Sequence, residues 1–220
     1  MYALTPDEAV SEVRKNLDEQ GLNDSVMYTS ESTDNESLDL IIKRTLPEAI
    51  NAVCMTAAVT TLEGDSVLKE LAWGGVENNV LNFKLSESTN FLRLVYFKAT
   101  DSEHIVTDVV AEASAEGRKQ LNKHIRGTYD KPRLVYIQGS GAAAEFKYYS
   151  LKETVDDKEP LEYISNIVII RRAKYSESSA SYNVPTELRD VIIRYLTGMV
   201  LAIYGETNKA NYFMGASKEE

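Results

Sequence analysis

Residues Arg133–Leu151 read "RLVYIQGSGAAAEFKYYSL", and the fold class turns on how this stretch is understood. It opens as an apolar strand, breaks at Gly139-Ser140-Gly141, and satisfies the spacing G-x-G-x-x-A through Ala144. That spacing lets a dinucleotide's pyrophosphate approach a backbone turn, provided the loop leads into a helix whose N-terminal amides receive the phosphate. The residues after Ala144 predict a strand instead, because Phe146 and Tyr148 alternate with Glu145 and Lys147. The fingerprint also normally opens a βαβ unit, and less than half of the chain remains to build one. The favoured reading is a hairpin turn with glycine at left-handed dihedrals. An enzyme using Gly139–Ala144 as a phosphate or cofactor loop is the alternative.

Working outward, the same alternation recurs in "LKELAW" from Leu68, "VLNFKL" from Val80 and "FLRLVYFKA" from Phe91. Gly74-Gly75 and Ser86–Asn90 read as the turns between them. Pro132–Gln138, Ala144–Leu151 and Leu161–Arg171 continue the strand character, while Ala111–Ile125 reads as a short polar helix. Both ends of the chain are helical. Thr5 can cap a helix with Pro6 at its first position and Glu8 reaching back, running to about Gln20. A polar connection, Asn23–Ser37, contains a second capping box, Thr33-Asp34-Asn35-Glu36. In the helix that follows, Leu38, Ile41, Ile42 and Thr45 share a face, and Pro47 predicts a kink or two helices meeting near Leu46. Lys174–Val184 reads as a polar, Ser-rich connector.

These elements predict an α+β protein in which N- and C-terminal helices pack together with a central, mainly antiparallel β-sheet. The segments are 1–62 (helical), 63–173 (β-rich) and 174–220 (connector and long helix), in one integrated unit. Apolar residues at 43% and charged residues at 26% are those of an ordinary folded chain of 220 residues. The net charge of −10 argues against non-specific attraction to nucleic-acid phosphates. The single cysteine, Cys54, excludes an internal disulfide and a cysteine-based zinc site. No signal peptide is read at Met1–Pro6. Val191–Tyr204 is shorter than the roughly 20 apolar residues a bilayer requires and contains Arg194.

Candidates for chemistry are few. His104 and His124 are separated by a spacing that matches no compact metal motif. Cys54 lies in an Ala-rich helix without an adjacent base, Asp156-Asp157 reads as a solvated turn, and Arg171-Arg172 with Lys174 as a small basic spot. No catalytic, cofactor-binding or metal-binding residue is assigned.

The unusual information lies beyond Pro185. Leu188, Val191, Ile192, Tyr195, Leu196, Met199, Val200 and Ile203 form a core stripe, and Ile193, Thr197, Leu201 and Tyr204 form a second row about one turn apart. A second row needs its own cover, from a larger core or from another chain. The tail "NYFMGA" adds Tyr212, Phe213 and Met214.

This layout, with "VPTELRDVIIRYLTGMVLAIYGETNKANYFMGA" at its end, resembles the head-to-tail connector, or ring, proteins of tailed bacteriophages. The segments "FLRLVYFKATDSEHIVTDVV" and "RKQLNKHIRGTYDKPRLVYI", with Phe91, Leu92, Arg93, Gly127, Lys131 and Pro132, are similar to ring proteins of short-tailed, crAss-like phages. The resemblance covers most of the chain from Leu38 onward. It implies a virion protein without catalysis, assembled in the host bacterial cytoplasm into a homo-oligomeric ring, commonly a dodecamer. Its partners would be the portal protein and adjacent tail or ring proteins, with DNA only in transit and no membrane. Ile193, Leu201 and Tyr204 are then expected at subunit or portal contacts, with Tyr212, Phe213 and Met214 as a docking tail. A tail-tube or tail-completion subunit is the alternative within the virion. Surplus negative charge suits a channel through which DNA slides without sticking.

Overall fold

The strands on either side of the Gly139-Ser140-Gly141 stretch are antiparallel neighbours, with Gln138 opposite Ala144 and Tyr136 opposite Phe146. Residues 139–143 themselves lie outside the described residues, which in this computed structural model are 1–19, 37–77, 79–122, 124, 133–138, 144–151 and 160–216. The Thr33–Glu36 capping box and Asp156-Asp157 also lie outside them. In chain order the elements are β1 (Tyr2–Leu4), α1 (Pro6–Glu19), α2 (Leu38–Thr56), β2 (Asp65–Ser66), β3 (Leu71–Glu77), β4 (Val80–Leu85) and β5 (Phe91–Ala99). There follow β6 (Val109–Ala111), α3 (Ala115–Gln120), β7 (Leu134–Gln138), β8 (Ala144–Tyr148), β9 (Ile164–Arg171), β10 (Tyr182–Val184), α4 (Arg189–Ile203) and α5 (Thr207–Ala216). The fold is α+β, and the chain divides into two units, a helical one from Met1–Glu63 with Arg172–Glu220 and a β-rich one from Gly64–Arg171.

In the helical unit, α1 starts where the Thr5 hydroxyl accepts from the Glu8 amide at 3.1 Å, and Ala9, Val10, Val13 and Leu17 form its buried stripe. Helix α2 starts at Ser37, whose side chain accepts from the Leu40 amide at 3.3 Å. It runs unbroken through Pro47. A proline in a helix interior costs about 3 kcal/mol, whereas each fully buried aliphatic side chain contributes about 1.5–3 kcal/mol. Leu46, Ile50 and Val53 are all buried around it, so burial outweighs the local penalty. Instead of remaining a connector throughout, 174–184 ends in β10, which pairs antiparallel with β1, Leu4 opposite Tyr182. Asn51 of α2 fixes the start of that segment, donating to the Ala173 carbonyl at 2.9 Å and accepting from the Ala173 amide at 2.8 Å.

Among the described residues the β-rich unit holds two sheets, of order β2-β9-β5 and β3-β4-β8-β7-β6. Every pairing is antiparallel except β6 with β7. The alternation in β4 and β8 places Leu81, Phe83, Leu85, Phe146 and Tyr148 in the core. Phe83 stacks on Phe97 and on Phe146, each at 5.2 Å between ring centroids. Gly74-Gly75 is not a turn. Both glycines lie inside β3 opposite Phe83 and Asn82, and it is Asn79, just before β4, that takes a left-handed φ of 63°. Leu68–Glu70 is a 3-10 turn before β3, and among the described residues of the expected helix Ala111–Ile125 the helical ones are Ala115–Gln120. Arg171 ties the unit's first and last segments: it donates to Glu70 at 2.5 and 3.0 Å, to Asp65 at 3.2 Å and to the Thr89 carbonyl at 3.1 Å.

Candidate functional site: the C-terminal helical hairpin

Beyond Pro185 the expected single long helix is two helices. Tyr204 ends α4 and Gly205 adopts φ +81°, a left-handed conformation that glycine takes without a side-chain penalty. The Glu206 amide donates to the Leu201 carbonyl at 3.0 Å and the Gly205 amide to Ala202 at 3.1 Å, the paired bonds of a Schellman stop. α5 then packs back along α4. At Gly198 an added Cβ would lie 2.7 Å from Met214 Cγ and 3.0 Å from the Ala210 carbonyl, so the missing side chain sets the helix spacing. Ala210 is buried in that contact.

This arrangement decides the fate of the two apolar rows. α4 is flanked by α1, α2 and α5, so its second row finds cover inside its own unit. Ile193 is 4% exposed and Leu201 0%, and the expectation that they present a surface to another chain is corrected by that burial. Thr197, in the same row, donates to the Ile193 carbonyl at 2.9 Å and accepts from Asn16 of α1 at 3.0 Å. Phe213 and Met214 are half-buried. What remains outward is Tyr204 at 37% and Tyr212 at 70%, the latter edge-on to Phe213 with centroids 5.6 Å apart. Ile203, read in the sequence as part of the core stripe, is 57% exposed. It stands one residue before the helix stop, where the flanking helices no longer cover the stripe. That proximity to Tyr204-Gly205 was the available signal.

Charge pins the other end of α4. Arg189 donates to Glu8 of α1 at 2.6 and 3.1 Å, pairs with Asp190, and lies 5.5 Å over the Tyr2 ring. Tyr2 donates to the same Glu8 oxygen at 2.6 Å. Partial burial pushes the Glu8 carboxyl up, but the Tyr2 hydroxyl and the Arg189 guanidinium together hold it below its ordinary value. Glu8, followed by Asp190, raises the Arg189 guanidinium.

The other candidates separate. Cys54 is buried in α2. His104 and His124 are both exposed, and among the described residues no group of three or more His, Cys, Asp or Glu stands together to hold a metal ion. Of the basic spot, Arg171 is engaged by Glu70 and Asp65, while Arg172 and Lys174 are exposed. Ala144 begins a strand rather than a helix, so the helix N-terminus that a pyrophosphate needs does not follow Gly139–Ala144. No helix among the described residues is long and apolar enough to cross a membrane. Comparison with models of known protein families gives no match, and no curated protein matches the sequence.

Proposed function

We propose that this protein is a structural subunit of a tailed-bacteriophage virion, forming a ring at the portal–tail junction with a channel for DNA. The observation that carries the reading is the set of exposed apolar side chains on the terminal hairpin, Ile203, Tyr204 and Tyr212, in a chain of net charge −10. Large apolar groups held outward on ordered helices favour contact with another protein, and aromatic residues are enriched at such contacts. The resemblance of the segments from Leu38 onward to connector proteins supplies the setting, and the acidic balance suits transit of DNA without adhesion. Contact roles rest with Ile203, Tyr204 and Tyr212; Ile193 and Leu201 contribute by holding the hairpin in place.

The test is electron microscopy of the purified chain mixed with portal particles, alongside an Ile203→Asp, Tyr212→Asp double variant. Rings on the portal vertex with the native chain, lost in the variant while its circular dichroism is unchanged, are the expected result. Binding to tail particles in place of portals would turn the reading to a tail-completion subunit. Unaltered ring formation by the double variant would remove the hairpin from the interface.

A further inference from the structure

The helices of the helical unit are not equally secured. α1 is tied to α4 by Glu8 with Arg189 and by Asn16 with Thr197, and to α2 by Arg14 with Asp39 and Asp7 with Lys43, both pairs at 2.7 Å. α2 in turn holds the Ala173 backbone through Asn51. α4 buries eight residues between Val191 and Leu201. α5 packs chiefly on α4, and among its described side chains Ala210 alone is buried. Phe213 and Met214 are half-buried, while Asn208, Asn211, Tyr212 and Gly215 are exposed, so the outer face of the helix is open to solvent. The Lys209–Glu206 ion pair, at 3.9 Å, lies within the turn that enters α5 and does not reach another helix.

The joint before α5 has room to turn. Gly205 carries the left-handed φ that ends α4, and a Cβ built there would meet no heavy atom within 4 Å. Gly198 is the reverse case, because a Cβ there would strike Met214 and the Ala210 carbonyl. α5 thus covers a face of α4 that presents bare backbone at position 198.

We propose that α5 is a strap that opens as a unit about Gly205 while α1, α2 and α4 stay folded, uncovering the face of α4 at Gly198. Segments with few buried apolar groups and an exposed outer face open locally, at a free energy below that of global unfolding. α5 meets both conditions, and the three helices that remain are held to one another by contacts in which it takes no part. Closed, the hairpin presents Tyr212 outward and seals Gly198 beneath Ala210 and Met214; open, it frees both surfaces of that seam. The strap does not rest on the virion reading, since it is a property of the single chain.

The test is native-state hydrogen exchange of the full chain in increasing, sub-denaturing urea, with thiol labelling of the buried Cys54 reporting the opening of α2. Amides from Ala210 to Ala216 are expected to exchange at least about tenfold faster than the core amides of α1, α2 and α4, with little urea dependence, because a strap exposes little surface. Ile50→Val distinguishes local from global opening. Ile50 is buried in α2, and its truncation raises the global opening constant about two- to twelvefold. Ile50 stays packed whether the strap is closed or open, so the variant should speed Cys54 labelling by that factor and leave α5 exchange in the absence of urea unchanged. Gly205→Ala, strained at a left-handed φ only in the closed hairpin, should speed α5 exchange several-fold. Exchange of α5 at the core rate with the core's urea dependence, an Ile50→Val effect on α5 equal to that at Cys54, or an α5 rate untouched by Gly205→Ala would each overturn the proposal.

Discussion

Gly198 of α4 and Met214 of α5 are packed so tightly that a methyl group at position 198 would fall 2.7 Å from the Met214 Cγ. The Ala210 carbonyl, a backbone atom that cannot rotate away, would be 3.0 Å from the same methyl. Overpacking of this kind costs about 1–3 kcal/mol. Gly198→Leu is therefore expected to lower the urea midpoint and to raise amide exchange across Thr207–Ala216 before the rest of the helical unit opens. In Gly198→Ala the methyl meets the same atoms, and the gain in helix propensity, about 1 kcal/mol, offsets only part of that cost, so a smaller shift in the same direction is expected.

Leu201 and Ile203 are two residues apart with opposite burial, so the same substitution should have opposite consequences. Leu201→Asp places an unpaired charge in a packed core, a change in the class that exceeds about 4 kcal/mol, and the helical unit should unfold. Ile203→Asp should leave the thermal midpoint within the range of surface substitutions, about 0.5 kcal/mol. Comparable destabilisation by both, in parallel thermal melts, would contradict the burial pattern on which the contact surface rests.

Much of the fold was legible where one face of an element meets a core. Val80–Leu85 and Phe91–Ala99 match their alternation because every second residue, or nearly so, is buried. Gly74-Gly75 misled because local turn preference yields to pairing: the strand continues through both glycines while Asn79 supplies the turn. β1, β6 and β10 have three residues each, too few to show a period, and exist through their partners. The terminal hairpin was half legible. Gly205 lies where a glycine stop belongs, but nothing in the spacing reveals that α5 returns to Gly198, a contact made by absence of a side chain. Two apolar rows on one helix called for cover, and the sequence does not distinguish flanking helices of the same chain from those of a neighbour.

Asn51 reaches Ala173 across 122 positions in sequence and satisfies both its amide and its carbonyl. Asn51→Ala leaves both groups without that partner, and each partly buried group left unsatisfied costs about 1–3 kcal/mol. Asn51→Asp keeps an acceptor for the Ala173 amide but sets a carboxylate against the Ala173 carbonyl. The aspartate variant should thus be less stable at pH 7 than at pH 4, where protonation restores a donor. Chemical denaturation at the two pH values checks the sign.

Arg171 and Glu70 provide the opposite pH dependence. The Arg171 hydrogen bonds hold the Glu70 carboxyl below its ordinary value, against a smaller upward push from burial. A group whose folded pKa is depressed stabilises the fold fully above its unfolded pKa, about 4.3 for glutamate, and that stability is lost as pH falls through the lower, folded value. Arg171→Met should therefore destabilise the β-rich unit at pH 7 by about 1–2 kcal/mol, a figure reduced from fully buried pairs because both side chains are partly exposed to screening solvent. The gap between native and variant should narrow below about pH 4, as Glu70 takes up its proton and the guanidinium loses its partner. Urea unfolding followed from pH 7 to pH 3 measures that convergence. A gap that stays constant with pH would mean that Arg171 holds Glu70 by packing of its aliphatic stem rather than by charge.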